Sequence, residues 1–415
     1  MKNQNSAEFP ARSDQTNLAR SQNSQVDYLV GGFRIALGPD SNTPGPRTHI
    51  VNFIEGLHRN KLQTRLFLAS SFPFMGRFSR IRQSDYSSAG SSKVIVADIV
   101  RILAALWCGM NVFAKTVTSP APVLIYERAA VLQSLTSFHA KKHRAFRVVE
   151  ANGILSRETA QDRKVLRAEK LAAAVERHVL RKADLVVAVS ERLKTEIVRF
   201  AGVDADRILV VPNGVSESLL TYERQAHEGR VVGFVGSVVK WQNLENIIAM
   251  VADVAESARE NVRFELVGDG AELSALRRFV QQRGLEDLVT FHGKLPQTEA
   301  FELMTRWDIG LAGHQKSSSE TMYHSPLKLY EYAALGLSIV CTKSLDARIL
   351  SESGADVHQF ENDTEFVATL SDLISKPLRT SYDIQMSRES VVSDHSWRGR
   401  ARQVLEVAGI DQALA

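Results

Sequence analysis

The sequence has little cysteine: only Cys108 and Cys341 occur among 415 residues, and they form no CxxC pair. Two isolated cysteines provide neither a disulfide framework nor a cysteine-based metal site. Sparse cysteine of this kind is typical of proteins in a reducing compartment, so we expect a cytoplasmic location.

Two phosphate-binding motifs are also absent. Neither a GxGxxG fingerprint nor a GxxxxGK[ST] loop follows the first predicted strand of either half of the chain. These motifs seat dinucleotides and nucleoside triphosphates at the start of a helix. Their absence argues against a dehydrogenase and against a kinase.

Long apolar segments are missing as well. Residues 1–28 are polar, with no apolar run behind Lys2, so they are predicted to be a disordered tail rather than a secretory signal. The longest uncharged stretch, residues 102–114, is shorter than the ~20 residues that cross a bilayer. We expect no membrane span and interpret residues 96–114 as a core helix, with a membrane-interface helix as the alternative.

Charge is divided unevenly along the chain. Residues 1–228 hold 32 Lys and Arg against 21 Asp and Glu, whereas residues 229–415 hold 19 against 26. A basic N-terminal half attracts nucleic acid, an anionic membrane or a phosphorylated acceptor through the same long-range field. Charge alone does not choose among these partners.

Short apolar runs recur with segments of helical length between them, a pattern typical of parallel α/β sheets. The predicted strands of the first half are residues 33–38, 65–69, 122–126, 146–149, 184–189 and 207–211. Those of the second half are 231–236, 262–267, 288–292, 308–312 and 337–341. We predict two Rossmann-like doubly wound domains, 29–215 and 231–390, joined by a linker at 216–230 and facing a central cleft.

Anion-binding chemistry is concentrated in the second predicted domain. Gly236 ends its first strand, and a helix is predicted to begin near Asn243. A second helix is predicted with Ser325 as its N-cap and Pro326 as its first residue. Lys328 and Glu331 would then share one face, where a cation at a helix N-terminus suits a diphosphate and a carboxylate suits ribose hydroxyls. A surface Lys–Glu pair is the alternative.

Six blocks in one order resemble the family-4 retaining glycosyltransferases of bacterial polysaccharide and lipopolysaccharide assembly. They are ILVVPNGV, VGFVGSVVKW, FELVGDGAEL, VTFHGKLP, DIGLA and SPLKLYEYAALGLSIV, within residues 207–375. The first half resembles the family more loosely, through FRIALGPDSNTPGPRTH, VVEANG and ADLVVAVSERL. The resemblance implies a GT-B fold, no obligatory metal or cofactor, and a UDP- or GDP-sugar donor.

The resemblance also implies site residues. Glu331 would bind the ribose and the amides near Leu327 and Lys328 the diphosphate, while Gly293 to Leu295 would border the base. Gly45 would close over the phosphates from the first domain, and residues 395–407 would form a closing helix that returns to that domain.

This chain departs from the family pattern at several positions. Ser237 stands where an Arg is usual, Gln242-Asn243 replace a Lys-Gly pair, and Tyr323 replaces the first member of a glutamate pair. Lys240 and Lys328 are candidates to supply the missing cations, because a flexible ammonium reaches a phosphate from several backbone positions.

Catalytic candidates lie in the first domain. Glu150 and Asn152, in VVEANG, fill a strand end where the family often has a histidine and an acid, and His49 follows the PGPR segment. Glu150 could equally be a capping or salt-bridging acid, and a lone histidine is often structural. Asp204-Ala205-Asp206 mimics a metal motif but is interpreted as turn chemistry, so no metal site is predicted.

The function predicted from the sequence is transfer of a sugar from a nucleotide sugar to a glycan or lipid-linked acceptor, without nucleic acid. The segment 139–147 with Arg77, Arg80 and Arg82 could dock the enzyme on the anionic inner membrane, or could be a solvated basic face. A non-catalytic sugar-nucleotide-binding protein and a sugar-nucleotide epimerase or phosphorylase of the same fold are the alternatives.

Overall fold

The computed structural model describes residues 25–38, 41, 43–72, 91–117, 119–136, 145–162, 164–258, 260–312 and 324–410. The chain forms two compact units. The first comprises residues 1–212, 323–325 and 397–415, and the second comprises residues 213–322 and 326–396. Each unit contains a six-stranded parallel sheet with helices between its strands, which is a Rossmann-like α/β arrangement.

Helices separate most of the strands along the chain, except that the described residues contain no helix between β3 and β4 and only a short 3-10 helix between β6 and β7. The strands of the first unit are β1 Gln25–Val30, β2 Gln63–Leu68, β3 Leu124–Arg128, β4 Phe146–Ala151, β5 Leu185–Ala188 and β6 Ile208–Val210. Those of the second are β7 Arg230–Val235, β8 Val262–Val267, β9 Val289–Gly293, β10 Ile309–Ala312, β11 Ser338–Thr342 and β12 Val357–Phe360. The helices of eight residues or more are α1 Pro44–Arg59, α2 Ser91–Val117, α3 Glu169–Lys182, α4 Glu191–Ala201, α5 Leu244–Ser257, α6 Leu273–Arg283, α7 Gln297–Met304, α8 Leu327–Ala334, α9 Leu345–Glu352, α10 Asp363–Ser375, α11 Ser381–His395 and α12 Trp397–Val407.

Strand order reverses once in each sheet. The first sheet runs β2-β1-β3-β4-β5-β6 and the second β12-β11-β10-β7-β8-β9, so the reversals lie between β1 and β3 and between β7 and β10. In open parallel sheets, ligands bind beyond the carboxyl ends of the strands at such a switch point. The topology therefore predicts that ligand-binding residues follow β1, β3, β7 and β10.

Both faces of the second sheet are buried, which explains why its strands are continuous apolar runs. Val232 and Phe234 of β7 pack in one core cluster, whereas Val231 packs in another and Val235 packs against that second cluster. Successive side chains of a strand point to opposite faces of its sheet. The predicted strands of this half therefore overlap the observed β7 to β11, whereas the short β12 was not predicted.

The N-terminal strand was predicted in the wrong place. Residues 25–28 belong to β1 rather than to a disordered tail, and residues 33–38 contain no strand. The buried Asp27 gives this segment a polar appearance, but its carboxylate accepts hydrogen bonds from Arg65 on the neighbouring strand, at 2.6 Å and 2.9 Å. A charge paired across two strands is compatible with burial, which a linear pattern does not reveal.

The segment predicted as a linker is packed on the second unit. Leu219 lies in the core of that unit, and the Arg388 guanidinium donates to the Leu219 and Tyr222 carbonyl oxygens at 2.9 Å and 2.7 Å. Residues 216–230 are thus part of the second unit, and the chain leaves the first unit at Pro212.

The C-terminal helix α12 belongs to the first unit, although α11 before it belongs to the second. Asn60, which ends α1, donates a side-chain hydrogen bond to the Arg398 carbonyl oxygen at 3.0 Å. Gly56 of α1 allows the two helices to approach closely, because a Cβ there would collide with the Trp397 carbonyl.

Candidate functional site

Three glycines at the ends of β7, β8 and β9 draw these strand ends together. Gly236 N–H donates to the Val267 carbonyl oxygen at 2.9 Å, and Gly268 N–H donates to the Gly293 carbonyl oxygen at 2.7 Å. Gly236 and Gly268 both have φ of +151°, and a Cβ on Gly268 would collide with the Gly236 carbonyl. Only glycine tolerates this conformation and this proximity, so the strand ends present bare backbone.

Helix α8 is held against the same strand ends by Tyr332. Its hydroxyl accepts the Val235 N–H at 3.0 Å and donates to the Leu311 carbonyl oxygen at 3.3 Å. Gly310 leaves room for the ring, since a Cβ there would lie 2.6 Å from it. The first turn of α8 is thereby placed beside the end of β7.

Lys328 is the cation of this site. Its Nζ lies 3.9 Å from the centroid of the Phe234 ring, and a Cβ on Gly236 would approach it to 2.9 Å. The Nζ is buried and has no hydrogen-bond partner among the described residues. Burial lowers the pKa of the ammonium to about 7, although the Glu331 carboxyl opposes the shift. A buried ammonium without a partner is destabilised until an anion reaches it.

Glu331 lies one turn further along α8. Its Oε1 accepts a hydrogen bond from the Gln297 side-chain amide at 3.4 Å. Burial raises the pKa of its carboxyl to about 7, while Gln297 and Lys328 favour the charged form. The carboxyl and the ammonium therefore both have pKa values shifted toward neutrality, as is common at functional sites.

The start of α8 differs from the prediction. Pro326 is extended, with φ of −75° and ψ of 117°, and occupies the N-cap position without a side-chain cap bond. The helix begins at Leu327, so Ser325 is not the N-cap and Pro326 is not the first helical residue. Because proline lacks an N–H, the first amide that the helix offers to a ligand is that of Leu327.

The remaining donor-site candidates lie around the same strand ends. Ser237 and Lys240 are exposed in the segment between β7 and α5, which begins at Leu244 as the sequence indicated. Leu295 follows Gly293 and packs against the core of the second unit. The structure thus brings Gly236, Gly293, Lys328 and Glu331 to one edge of the second sheet. Lys240 lies in an exposed turn that follows β7.

The catalytic candidates of the first unit meet around one buried carboxylate. Glu150, on β4, is 1% exposed. Its Oε2 accepts hydrogen bonds from His49 Nε2 at 3.0 Å and from the Tyr126 hydroxyl at 2.8 Å. Its Oε1 accepts from the Asn152 amide at 2.6 Å and from the Arg128 guanidinium. Glu150 is therefore the centre of a network rather than an exposed acid.

Electrostatics keep this carboxylate ionised. Burial alone would raise the pKa of Glu150, but the fields of His49 and Arg128 and the bonds from His49 and Asn152 hold it well below its usual range. A carboxylate with four donors is poorly suited to accept a further proton. The carboxylate is therefore suited to orient His49 and Asn152. These two residues were predicted from the sequence, whereas Tyr126 and Arg128, the other members of the network, were not.

Gly45 lies in the first turn of α1, which begins at Pro44. Proline is favoured in the first turn of a helix because its missing N–H would have no acceptor there, so the PGPR segment starts the helix. His49 follows on α1, edge-on to the Trp397 ring of α12 with 4.9 Å between the ring centroids.

Several predictions lie elsewhere. Tyr323, Arg77, Arg80, Arg82 and residues 139–144 lie outside the described residues. Asp204 precedes a 3-10 turn that contains Asp206, and the Arg207 N–H donates to the Asp204 carbonyl oxygen at 2.9 Å. Across the part of the chain that the structure describes, no cluster of three or more His, Cys, Asp or Glu could hold a metal ion.

Two family profiles match the chain in succession. Residues 45–219 match Glycosyltransferase Family 4, and residues 222–386 match Glycosyl transferases group 1. The chain belongs to the GT-B glycosyltransferases of the family-4 type. The two matched ranges correspond to the two α/β units, and the second contains the Lys328 and Glu331 site.

Curated relatives of this glycosyltransferase family match a limited segment. The chain is 30% identical over 151 residues to the 2-deoxystreptamine glucosyltransferase of Streptomyces kanamyceticus, covering 34% of this chain and 39% of that protein. It is equally similar to the 2-deoxystreptamine N-acetyl-D-glucosaminyltransferase of Streptomyces fradiae, covering 36% of that protein. The match thus spans under two-fifths of the length of these relatives.

Solved structures of similar fold cover nearly the whole chain. HepE of Anabaena in complex with UDP has a TM-score of 0.60 at 17% identity, covering 93% of this chain and 99% of that chain. Sucrose-phosphate synthase of Thermosynechococcus elongatus has a TM-score of 0.64 at 15% identity, covering 92% and 98%. The two-domain Rossmann-like fold is therefore shared with both.

Proposed function

We propose that the protein is a retaining glycosyltransferase that moves a sugar from a nucleotide-diphosphate sugar to a hydroxyl of a glycan or lipid-linked acceptor. The observation that carries the proposal is the buried, unpartnered Nζ of Lys328 at the first turn of α8. A diphosphate supplies the anion that this ammonium lacks, and the helix N-terminus adds favourable N–H groups.

The neighbouring groups fit the rest of a nucleotide. The bare backbone at Gly236 leaves space beside Lys328 for phosphate oxygens. Glu331, one turn along α8, has carboxylate lone pairs left for ribose hydroxyls beyond its one bond from Gln297. This arrangement supports nucleotide recognition by residues of the second unit alone.

UDP is the favoured nucleotide within this proposal, with GDP as the alternative. HepE of Anabaena was solved with UDP and with UDP-glucose, and it shares the fold of this chain. The acceptor is proposed as a saccharide of polysaccharide or lipopolysaccharide assembly. The names of the Streptomyces relatives add an aminocyclitol as a second class of acceptor to be tested.

The Glu150 network favours retention of configuration. Inversion requires a protein base to activate the acceptor hydroxyl, and a carboxylate that accepts bonds from four donors is not free for that task. In the proposed reaction, the leaving diphosphate oxygen takes the acceptor proton on the face from which it departs. The chain contributes positioning and charge stabilisation.

The experiment is a panel of UDP-, GDP-, ADP- and dTDP-sugars, assayed by thermal shift and by product formation with and without acceptor saccharides. A donor at 100 times its Kd stabilises the native state by about 2.7 kcal/mol, which corresponds to a rise in Tm of roughly 5–10 °C for the unfolding of the second unit. Lys328→Met should abolish that rise, whereas Lys376→Met, at an exposed surface pair, should not.

The outcomes separate the alternatives. Stabilisation by a nucleotide sugar with transfer to an acceptor supports the proposal. Binding without any turnover identifies a non-catalytic binding protein, and an epimerised sugar nucleotide without an acceptor identifies an epimerase. No response to any nucleotide sugar, or an unchanged response in Lys328→Met, refutes the role of this site.

A further inference from the structure

Helix α2 carries an apolar stripe on its exposed side. The side chains of this stripe are between 44% and 61% exposed and comprise Val96, Ile99, Leu103, Leu106, Met110, Phe113 and Val117. They recur in alternating steps of three and four residues, which places them in one line along the helix. At 1.5 Å per residue, the stripe is roughly 30 Å long.

The opposite side of α2 is packed on the first unit. Cys108 and Val112 lie in a core cluster with Phe67 of β2. Asp98 is buried, where it pairs with Arg101 and accepts the Arg167 N–H at 2.9 Å. The helix therefore buries its one acid and turns its apolar stripe outward, and the core-helix interpretation holds for one side only.

We propose that α2 is an interfacial helix whose stripe lies in the surface of an anionic membrane. An isolated interfacial helix needs a charged face toward water, which this sequence lacks. In this protein the packed first unit takes the place of that charged face. The small number of charged residues on α2 therefore does not argue against an interfacial location. The proposal is independent of the sugar-transfer function.

The charges of α2 fit an anionic lipid surface. Its exposed charged residues are Lys93 and Lys115, one near each end of the stripe. Its single acid, Asp98, is buried, so no carboxylate of the helix faces the lipid. The Lys115 ammonium lies 5.6 Å from the centroid of the Phe67 ring in this structure. A lysine beside an apolar stripe can extend its ammonium group to the headgroups, contributing about 1 kcal/mol near an anionic surface.

A second copy of the chain fits the stripe less well. Paired helices use charges beside the apolar seam to set register, but the flanking positions hold Val100, Ile102 and Ala114. Seven half-exposed side chains bury on the order of 600 Å² per copy, below the ~800 Å² of a standard interface. A lipid surface requires neither register nor a complementary shape.

Helix α2 is also long and apolar enough to cross a membrane by length and composition, over Lys93–Val117. Crossing would remove Cys108 and Val112 from the core and Asp98 from its partners in the first unit. Burying the separated charges in hydrocarbon is costly, so an in-plane location agrees better with the observed packing.

The test is co-sedimentation of the full-length protein with phosphatidylcholine vesicles, with and without phosphatidylglycerol. We expect binding that is stronger to the anionic vesicles and that falls roughly tenfold or more for each of Leu106→Gln and Phe113→Gln. Leu378→Gln and Met386→Gln, which make the same change at exposed positions of the second unit, should bind as the wild type does. Circular dichroism and Tm verify that the variants are folded.

A second measurement uses the wild-type chain. Trp107, half-buried beside the stripe, should be quenched by vesicles of brominated lipid, and this quenching should be lost in W107F. The proposal is overturned by absence of vesicle binding. It is overturned equally by binding that survives both stripe substitutions and disappears in high salt, or by a lipid-free dimer that the substitutions dissociate, which would assign the stripe to a second copy.

Discussion

Nucleotide binding should take up a proton, because a bound diphosphate stabilises the charged form of the Lys328 ammonium. The pKa of its ammonium is lowered to about 7 by burial, against the opposing field of Glu331. A diphosphate within contact distance favours the charged form and typically raises such a pKa by 1–3 units.

The sign and magnitude follow from linkage. Since the pKa is higher in the complex than in the free protein, affinity is greatest at low pH and falls as pH rises through the free-state value. Between about pH 7.5 and about pH 9, the Kd for UDP should rise roughly tenfold, with on the order of 0.8 proton taken up near pH 8. The diphosphate of UDP does not titrate in this window, because the second phosphate pKa is about 6.

The assay is isothermal titration calorimetry of UDP across this pH range, in buffers that differ in ionisation enthalpy. Lys328→Met should bind more weakly and lose both the pH dependence and the proton uptake, while Lys376→Met should retain them. A Kd independent of pH, or a pH dependence that persists in Lys328→Met, would show that this ammonium does not contact the diphosphate.

Four further substitutions test the two sites. Glu331→Gln should weaken UDP binding by about 1.5–3 kcal/mol in calorimetry, the usual worth of a hydrogen bond to a charged group. The raised pKa of this carboxyl makes its ionisation costly above pH 7, so the variant should have a higher Tm than wild type at pH 8, a difference that shrinks toward pH 5. Gly268→Ala should lower the unfolding free energy by at least about 2 kcal/mol in urea, as its Cβ collides with backbone; Gly45→Ala, where a Cβ meets nothing within 4 Å, should leave stability unchanged or slightly higher. Arg128→Met should cost about 3–5 kcal/mol, because it leaves a buried carboxylate with one partner fewer; an effect near zero would contradict the network.

The Glu150 network was predicted from the sequence only in part. Glu150, Asn152 and His49 were selected at a strand end and a helix entry, and the structure places them within hydrogen-bonding distance. Arg128 and Tyr126 were missed because they lie on β3, which becomes the neighbour of β4 only through the order of the sheet. The signal available was a run of apolar residues ending in Glu127 and Arg128, charges that strands bury only with partners.

The sequence by itself determined the two parallel α/β sheets and the motif of α8, because both depend on local features: apolar runs buried on two faces, glycines at strand ends, and a lysine and a glutamate three residues apart. Tertiary structure decided which side of α2 is covered and which partners Asp27 and Glu150 meet. Burial and charge pairing depend on neighbours that are distant in the chain, so an apolar stripe has the same sequence pattern whether it faces the core or the surface.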